Sequence, residues 1–151
     1  MVLDAMQAGL SWRTVLHKRA GFEKAFAGFD PVKVSKFNRA DIERLSQDAN
    51  IIRNRQKINS VIANAKAFLK IQAEFGSFDK YIWQFVGGRT KVNNWVSDSQ
   101  IPAVSPEAEA MSSDLRARGF SFVGPTICYA FMQAAGMVND HLTNCFRHNQ
   151  V

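Results

Sequence analysis

The stretch from Arg53 to Phe75 constrains the fold most, because its apolar side chains recur at helical spacing over several turns. The stripe consists of Ile58, Val61, Ile62, Ala65, Phe68, Leu69 and Gln72. No segment of the chain alternates convincingly between apolar and polar residues, as a half-buried strand would. The sequence therefore predicts an all-α fold, a compact helical domain in which this helix is the central support.

Capping residues and glycines divide the remaining chain into shorter predicted helices. These helices cover residues 2–7, 12–16, 21–29, 31–37, 39–47, 78–85, 106–118, 125–136 and 138–145. We expect residues 89–104 to be irregular, with Val92 and Trp95 covering the core. The chain has no long linker and no internal repeat, so residues 1–151 are predicted to form a single domain.

Composition indicates a globular protein and favours an anionic partner. Of 151 residues, 46% are apolar and 21% charged, which suits one self-supporting core. Nineteen Lys and Arg against thirteen Asp and Glu give a net charge of +6, which favours a polyanion without requiring one. Two cysteines are too few for a disulfide framework, so we expect a cytoplasmic protein. The N-terminus lacks the basic region of a signal peptide, and no apolar run is long enough to predict a membrane partner.

The string Gly119-Phe-Ser-Phe-Val-Gly124 stands between two predicted helices. A short hairpin with a glycine at each end is the plan of a helix-hairpin-helix element, in which the second helix offers backbone N–H groups to a phosphate. Both glycines would permit positive φ and close backbone approach. The plainer alternative is that Gly119 only ends a helix and Gly124 is an ordinary loop glycine, and spacing alone leaves both open.

Two features near the N-terminus have a functional and a plain interpretation. Leu10 lies at the tip of the loop QAGLSW, where an exposed leucine can enter a base stack, or else it belongs to the core. Asp4 precedes Trp12 by eight residues. An acid beside an aromatic wall suits a cationic base, or else Asp4 is a surface acid.

His141 and Cys145 would share one face of the last predicted helix. They match half of a tetrahedral zinc site, to which His148 could add at most a third ligand. The pair is a weak candidate for a catalytic nucleophile and its base, because two residues one turn apart on a terminal helix do not enclose a substrate pocket.

The side of the 53–75 helix away from the apolar stripe is basic. It carries Arg53, Arg55, Lys57, Lys66 and Lys70, with no acid before Glu74. A solvated helix surface is the plain interpretation, and contact with a phosphate backbone is the alternative.

Five strings together resemble the 3-methyladenine DNA glycosylase I family of the helix-hairpin-helix superfamily. In chain order they are QAGLSWRTVLHKR, GFDPVKV, IIRNRQKINSVIANAKAF, RGFSFVGPTICYAFMQAAGMVNDH and the closing H-x-x-x-C. They span nearly the whole chain, and the first and fourth contain highly specific motifs. The resemblance implies a helical fold with a cleft, in which an N3-alkylated adenine is flipped out of double-stranded DNA and its N-glycosidic bond is hydrolysed.

The resemblance also implies roles for individual residues. Asp4 takes the position of a glutamate that contacts the base and would be the catalytic residue. Trp12 matches a tryptophan that stacks on the base, and Leu10 matches the loop that probes the duplex. We therefore expect Asp4 and Trp12 on one side of a cleft with Leu10 at its rim. The implied DNA-binding residues are Leu10 and, in the hairpin, Gly119, Phe122, Gly124 and Thr126.

The sequence departs from the family at two places. Asp4 has a side chain one methylene shorter than the family's glutamate. The segment in which the family supplies two more zinc ligands and further aromatic residues has no counterpart ahead of Leu3, so His141 and Cys145 form only a half-site. We expect weak or no zinc binding, no required cofactor and slow excision. We also expect an apolar N-terminal face, which a second copy of the chain could cover.

Two functions therefore stay open at this point. One is a DNA repair glycosylase that releases 3-methyladenine. The other is a non-catalytic helix-hairpin-helix module that binds DNA or another protein. The loop QAGLSW favours the enzyme, whereas Asp4 and the absent segment favour the binding module.

Overall fold

The structure, a computed structural model, describes residues 1–150; Val151 lies outside the described residues. Its α-helices are α1 (Val2–Gln7), α2 (Trp12–His17), α3 (Arg19–Ala25), α4 (Pro31–Val34), α5 (Arg39–Gln47), α6 (Arg55–Phe75), α7 (Phe78–Trp83), α8 (Pro106–Ala117) and α9 (Pro125–Ala134). Short 3₁₀ turns lie between these helices at Ala27–Phe29, Gln84–Val86 and Asp98–Gln100. The all-α prediction is confirmed.

Side-chain caps start the helices where the sequence predicts. Ser11 accepts a hydrogen bond from the Thr14 amide at the start of α2, and Ser105 accepts one from the Ala108 amide at the start of α8. Asn38 and Asp41 form a reciprocal capping box on α5. Because capping depends on residues within one turn, these boundaries follow from the sequence alone.

The α6 helix contributes to two hydrophobic clusters. Its first half packs Ile58 and Val61 into a cluster that also contains Met6, Val15, Phe22, Phe26 and Leu45. Its second half places Ala67 and Ile71 in a cluster with Tyr81, Met111, Leu115, Met132 and Met137. This shared helix agrees with its predicted role as central support. The assignment of residues 1–151 to one domain stays a prediction.

Two side chains lie differently from the sequence-based expectation. Lys57, predicted on the basic outer face of α6, is buried at 6% exposure because its ammonium group bonds to α1. Val92, expected to cover the core, is exposed. Trp95 is half-buried, and its indole nitrogen bonds to Asp140. For Lys57 and Trp95, a hydrogen-bond partner distant in sequence decides the placement.

The helix predicted over residues 138–145 is wrong. Val138–Asn139 forms strand β2, which pairs in parallel with strand β1 (Lys91–Val92), and residues 140–150 are irregular or form turns. The Thr143 amide donates to the Trp95 carbonyl at 2.9 Å, and His148 Nε2 lies 3.0 Å from the Asn93 carbonyl oxygen. This stretch is therefore anchored to a remote segment by backbone and side-chain contacts, and its other backbone bonds, such as that from the Cys145 amide to the Leu142 carbonyl, form local turns.

Among residues 1–150, no helix combines the length and the apolar character that a membrane crossing requires.

Candidate active site

Two cavities meet at the N-terminal helices. One has a volume of about 640 Å³ and lies between α1, the start of α2, and α9 with the segment that follows it. The other, about 540 Å³, is lined mostly by apolar side chains, among them Phe29, Phe68 and Phe131. Asp4, Trp12 and Ala134 line both cavities. The structure thus brings Asp4 and Trp12 to one cleft although they come from different helices.

Asp4 lies in the first turn of α1, with its side chain 13% exposed. Its carboxylate forms an ion pair with the α-amino group of Met1, with 2.5 Å between Oδ2 and the nitrogen. The aspartate therefore presents a partly buried carboxylate at the wall of the cleft, and a cationic ligand there would compete with the Met1 ammonium group for it.

Trp12 is the first residue of α2 and remains 44% exposed. Leu10, in the loop just before it, is 39% exposed. A large aromatic ring and an aliphatic side chain are thus left in solvent next to the cleft. The exposed part of Trp12 is available to a ligand of the cleft, and the alternative that Leu10 belongs to the core is wrong.

The loop between α1 and α2 is held by several short bonds. Gln7 closes it twice: its carbonyl accepts from the Leu10 amide at 2.7 Å, and its Nε2 donates to the Leu10 carbonyl at 2.8 Å. Gly9 turns the chain with φ +74°, a conformation that favours glycine. Beneath the loop, the Lys57 ammonium group donates to the carbonyls of Met6 and Ala8. Burial lowers the pKa of Lys57.

The hairpin between α8 and α9 is fixed from two sides. Asn64 of α6 bonds to the backbone of Ser121, and the Ser112 hydroxyl donates to the Val123 carbonyl at 2.6 Å. Gly119 has φ +92°, as expected. Gly124, at φ −60°, does not use positive φ, so this part of the expectation is wrong; Phe122 takes φ +55° instead.

The start of α9 leaves room for a ligand. Gly124 is its N-cap and, among the described residues, no side chain caps this helix. A Cβ built on Gly124 would have a guanidinium nitrogen of Arg116 as its nearest neighbour, at 3.6 Å. Thr126 in the first turn is exposed. The helix N-terminus therefore has free N–H groups and an open approach, which is what a phosphate oxygen needs.

His141 and Cys145 come together although they are not helical. The Nδ1 atom of His141 lies 3.7 Å from the Cys145 sulfur. His148 instead directs its ring toward the Asn93 carbonyl and Asn149. Within residues 1–150, no group of three His, Cys, Asp or Glu side chains is arranged to hold a metal ion. The described residues thus fit half of a zinc site and not a complete tetrahedral one.

Asp140 lines the larger cavity and was not singled out from the sequence. Its carboxylate accepts hydrogen bonds from Asn93, Trp95 and Gln133, each at 2.7 or 2.8 Å. Burial alone would raise the pKa of Asp140, but these bonds and one from Tyr129 hold it below its ordinary value. Asp140 therefore connects residues 93–95 to α9 at the wall of the cleft. Its partners are remote in the chain, so no local pattern indicated it.

Solved structures of other proteins share this fold. The chain superposes with a TM-score of 0.93 on a crystal structure of 3-methyladenine DNA glycosylase I, to which it is 46% identical. The match covers 96% of this chain and 80% of that one. A variant of 3-methyladenine DNA glycosylase I in complex with 3-methyladenine also gives a TM-score of 0.93, at 37% identity over 96% of this chain and 78% of that one.

Sequence comparison gives the same assignment. Residues 1–148 match the methyladenine glycosylase family. DNA-3-methyladenine glycosylase 1 of Escherichia coli (strain K12) is 48% identical over 143 residues, which cover 95% of this chain and 76% of the relative. The chain belongs to the methyladenine glycosylase family.

Proposed function

We propose that this protein releases 3-methyladenine from alkylated double-stranded DNA. The observation that carries the proposal is the meeting of Asp4 and Trp12 at one cleft, beside the exposed Leu10. Solved relatives share the fold, and one of them holds 3-methyladenine. In this proposal the chain is an enzyme of base-excision repair, and Asp4 is its catalytic residue.

The reaction requires little activation of the N-glycosidic bond by the protein. N3-methylation gives the adenine in DNA a formal positive charge, so the base leaves as a neutral molecule with the electron pair of the N-glycosidic bond. Water adds its oxygen to C1′ of the sugar and loses a proton to solvent. The protein has to extrude the base, hold it and favour its departure.

Two residues of the cleft recognise the flipped base. The cationic ring stacks on the Trp12 indole, an attraction that a neutral adenine gains to a smaller extent. The Asp4 carboxylate accepts from the exocyclic amine and offsets the positive charge of the base. Leu10 fills the gap that the base leaves in the duplex. Selectivity for the alkylated base follows from its charge.

Binding to DNA uses the hairpin and the net positive charge of the chain. The N–H groups at the start of α9 hold a phosphate of the duplex, and the +6 charge attracts the backbone at long range. The scheme uses no zinc, and the expectation that the chain requires no cofactor stays a prediction. A cytoplasmic location and a second copy of the chain over the apolar cavity stay predictions.

The assay that tests the function is release of free 3-methyladenine from methylated duplex DNA, with zinc added and with zinc withheld. We expect slow release in both conditions. A protein that binds the duplex but never releases the base would instead be the non-catalytic helix-hairpin-helix module.

We predict that Gly124→Val lowers the affinity for duplex DNA about tenfold, because a branched side chain at the start of α9 obstructs the phosphate. The protein itself tolerates the change, since Gly124 has φ −60° and its Cβ would meet only the end of the flexible Arg116 side chain, at 3.6 Å. Titrations at several salt concentrations measure the effect.

The control for this variant is Ala73→Val, which places the same branched side chain at an exposed position of α6. It should bind like the wild type. Equal affinity of a folded Gly124→Val protein would remove the hairpin from the DNA-binding surface.

A further inference from the structure

One face of α6 holds both segments that the proposed function brings to DNA. Lys57 contacts the loop that carries Leu10 and Trp12, and Asn64 contacts the hairpin. The two residues are seven positions apart, which is two helical turns, so their side chains point the same way. A single rigid element thus connects the base-probing loop with the phosphate-binding hairpin.

The burial of the Lys57 ammonium group does not stabilise α6 itself. A buried ammonium group is costly, and a cation in the first turn of a helix opposes the helix dipole. Its compensation lies on α1, where it donates to the carbonyls of Met6 at 2.9 Å and Ala8 at 2.5 Å. Those carbonyls belong to the C-terminal end of α1, where a cation is favourable.

The contact of Asn64 is a double hydrogen bond. Its Oδ1 accepts from the Ser121 amide at 2.9 Å, and its Nδ2 donates to the Ser121 carbonyl at 2.9 Å. Two bonds to one residue fix both the position and the orientation of the hairpin. The side chain also reaches the apolar cavity that Trp12 lines.

We propose that Lys57 and Asn64 are positioning residues for base excision, which hold the Leu10–Trp12 loop and the 119–124 hairpin at a fixed separation along α6. The inference rests on the proposed function. A flipped base has to reach Trp12 while the DNA backbone stays on the hairpin, so the separation of the two segments has to match the geometry of the flipped nucleotide.

The test uses Lys57→Met and Asn64→Leu, which keep the size of each side chain but remove its hydrogen bonds. We expect single-turnover release of 3-methyladenine to fall about 10- to 100-fold in each, as small misplacements of reacting groups do. In Lys57→Met the affinity for undamaged duplex stays near that of the wild type, because the hairpin is intact. Lys57→Arg, which keeps the charge and the donors, recovers most of the release.

Matched controls are Lys80→Met on α7 and Asn59→Leu on α6, which make the same exchanges at exposed positions. Both should release the base at the wild-type rate. If Lys57→Met does not fold, Lys57→Gln takes its place with the same expectation, since its shorter amide cannot reach both carbonyls.

Amide hydrogen exchange separates this inference from the proposed function. Lys57→Met should speed exchange at residues 9–12, and Asn64→Leu should speed it at Ser121, whose N–H loses its acceptor. A wild type that releases no base overturns the proposed function, and the exchange data then still decide whether the two residues hold these segments. Unchanged exchange together with unchanged release overturns the positioning role.

Discussion

Trp12→Ala is expected to reduce release of 3-methyladenine below detection. Stacking of a base on an aromatic side chain contributes about 1–3 kcal/mol, which is roughly a 5- to 150-fold change in rate or affinity. We expect slow wild-type release, because the Asp4 carboxylate reaches less far than a glutamate would, so a loss at the upper end of this range lowers release below the detection limit. The measurement is base release from methylated duplex DNA with protein in excess.

Two companion variants make this result specific. Leu16→Ala shortens another exposed apolar side chain one turn further along α2 and should leave release unchanged. Asp4→Glu should increase release, since the longer side chain extends the carboxylate toward the base. Activity that responds neither to Trp12→Ala nor to Asp4→Glu would mean that the base binds elsewhere.

Ile62→Asp is expected to unfold the protein. Ile62 is 6% exposed and packs in the cluster formed by α6 with the N-terminal helices. A carboxylate there has no partner, and the cost of about 3–5 kcal/mol is a large part of the roughly 5–15 kcal/mol that stabilises a typical domain. Thermal and urea unfolding followed by circular dichroism measure the change.

The neighbouring Ala63 supplies the control, because it is exposed on the same helix. Ala63→Asp introduces the same charge and should lower the free energy of unfolding by only about 0.7 kcal/mol, the loss of helix propensity from Ala to Asp. If Ile62→Asp melts at the wild-type temperature, the burial of this face of α6 is wrong.

The candidate site was predictable where the family resemblance carried residue positions. Asp4, Trp12 and Leu10 were named from the string around QAGLSW, and the structure brings Asp4 and Trp12 to one cleft. Their catalytic and binding roles stay predictions. Asp140 was missed, because its importance rests on donors from three other places in the chain.

The sequence by itself determined the helices, because helix periodicity and caps depend on residues within about one turn of each other. The bounds of α1 and α5 and the caps of α2 and α8 follow from such local signals. Tertiary structure decided whatever depends on a remote partner. It buried Lys57 under the carbonyls of α1, some fifty residues away, and it replaced the last predicted helix by a strand paired with Lys91–Val92. A buried polar group forms a hydrogen bond wherever the fold supplies a donor or acceptor. The neighbouring residues in the sequence do not identify that partner.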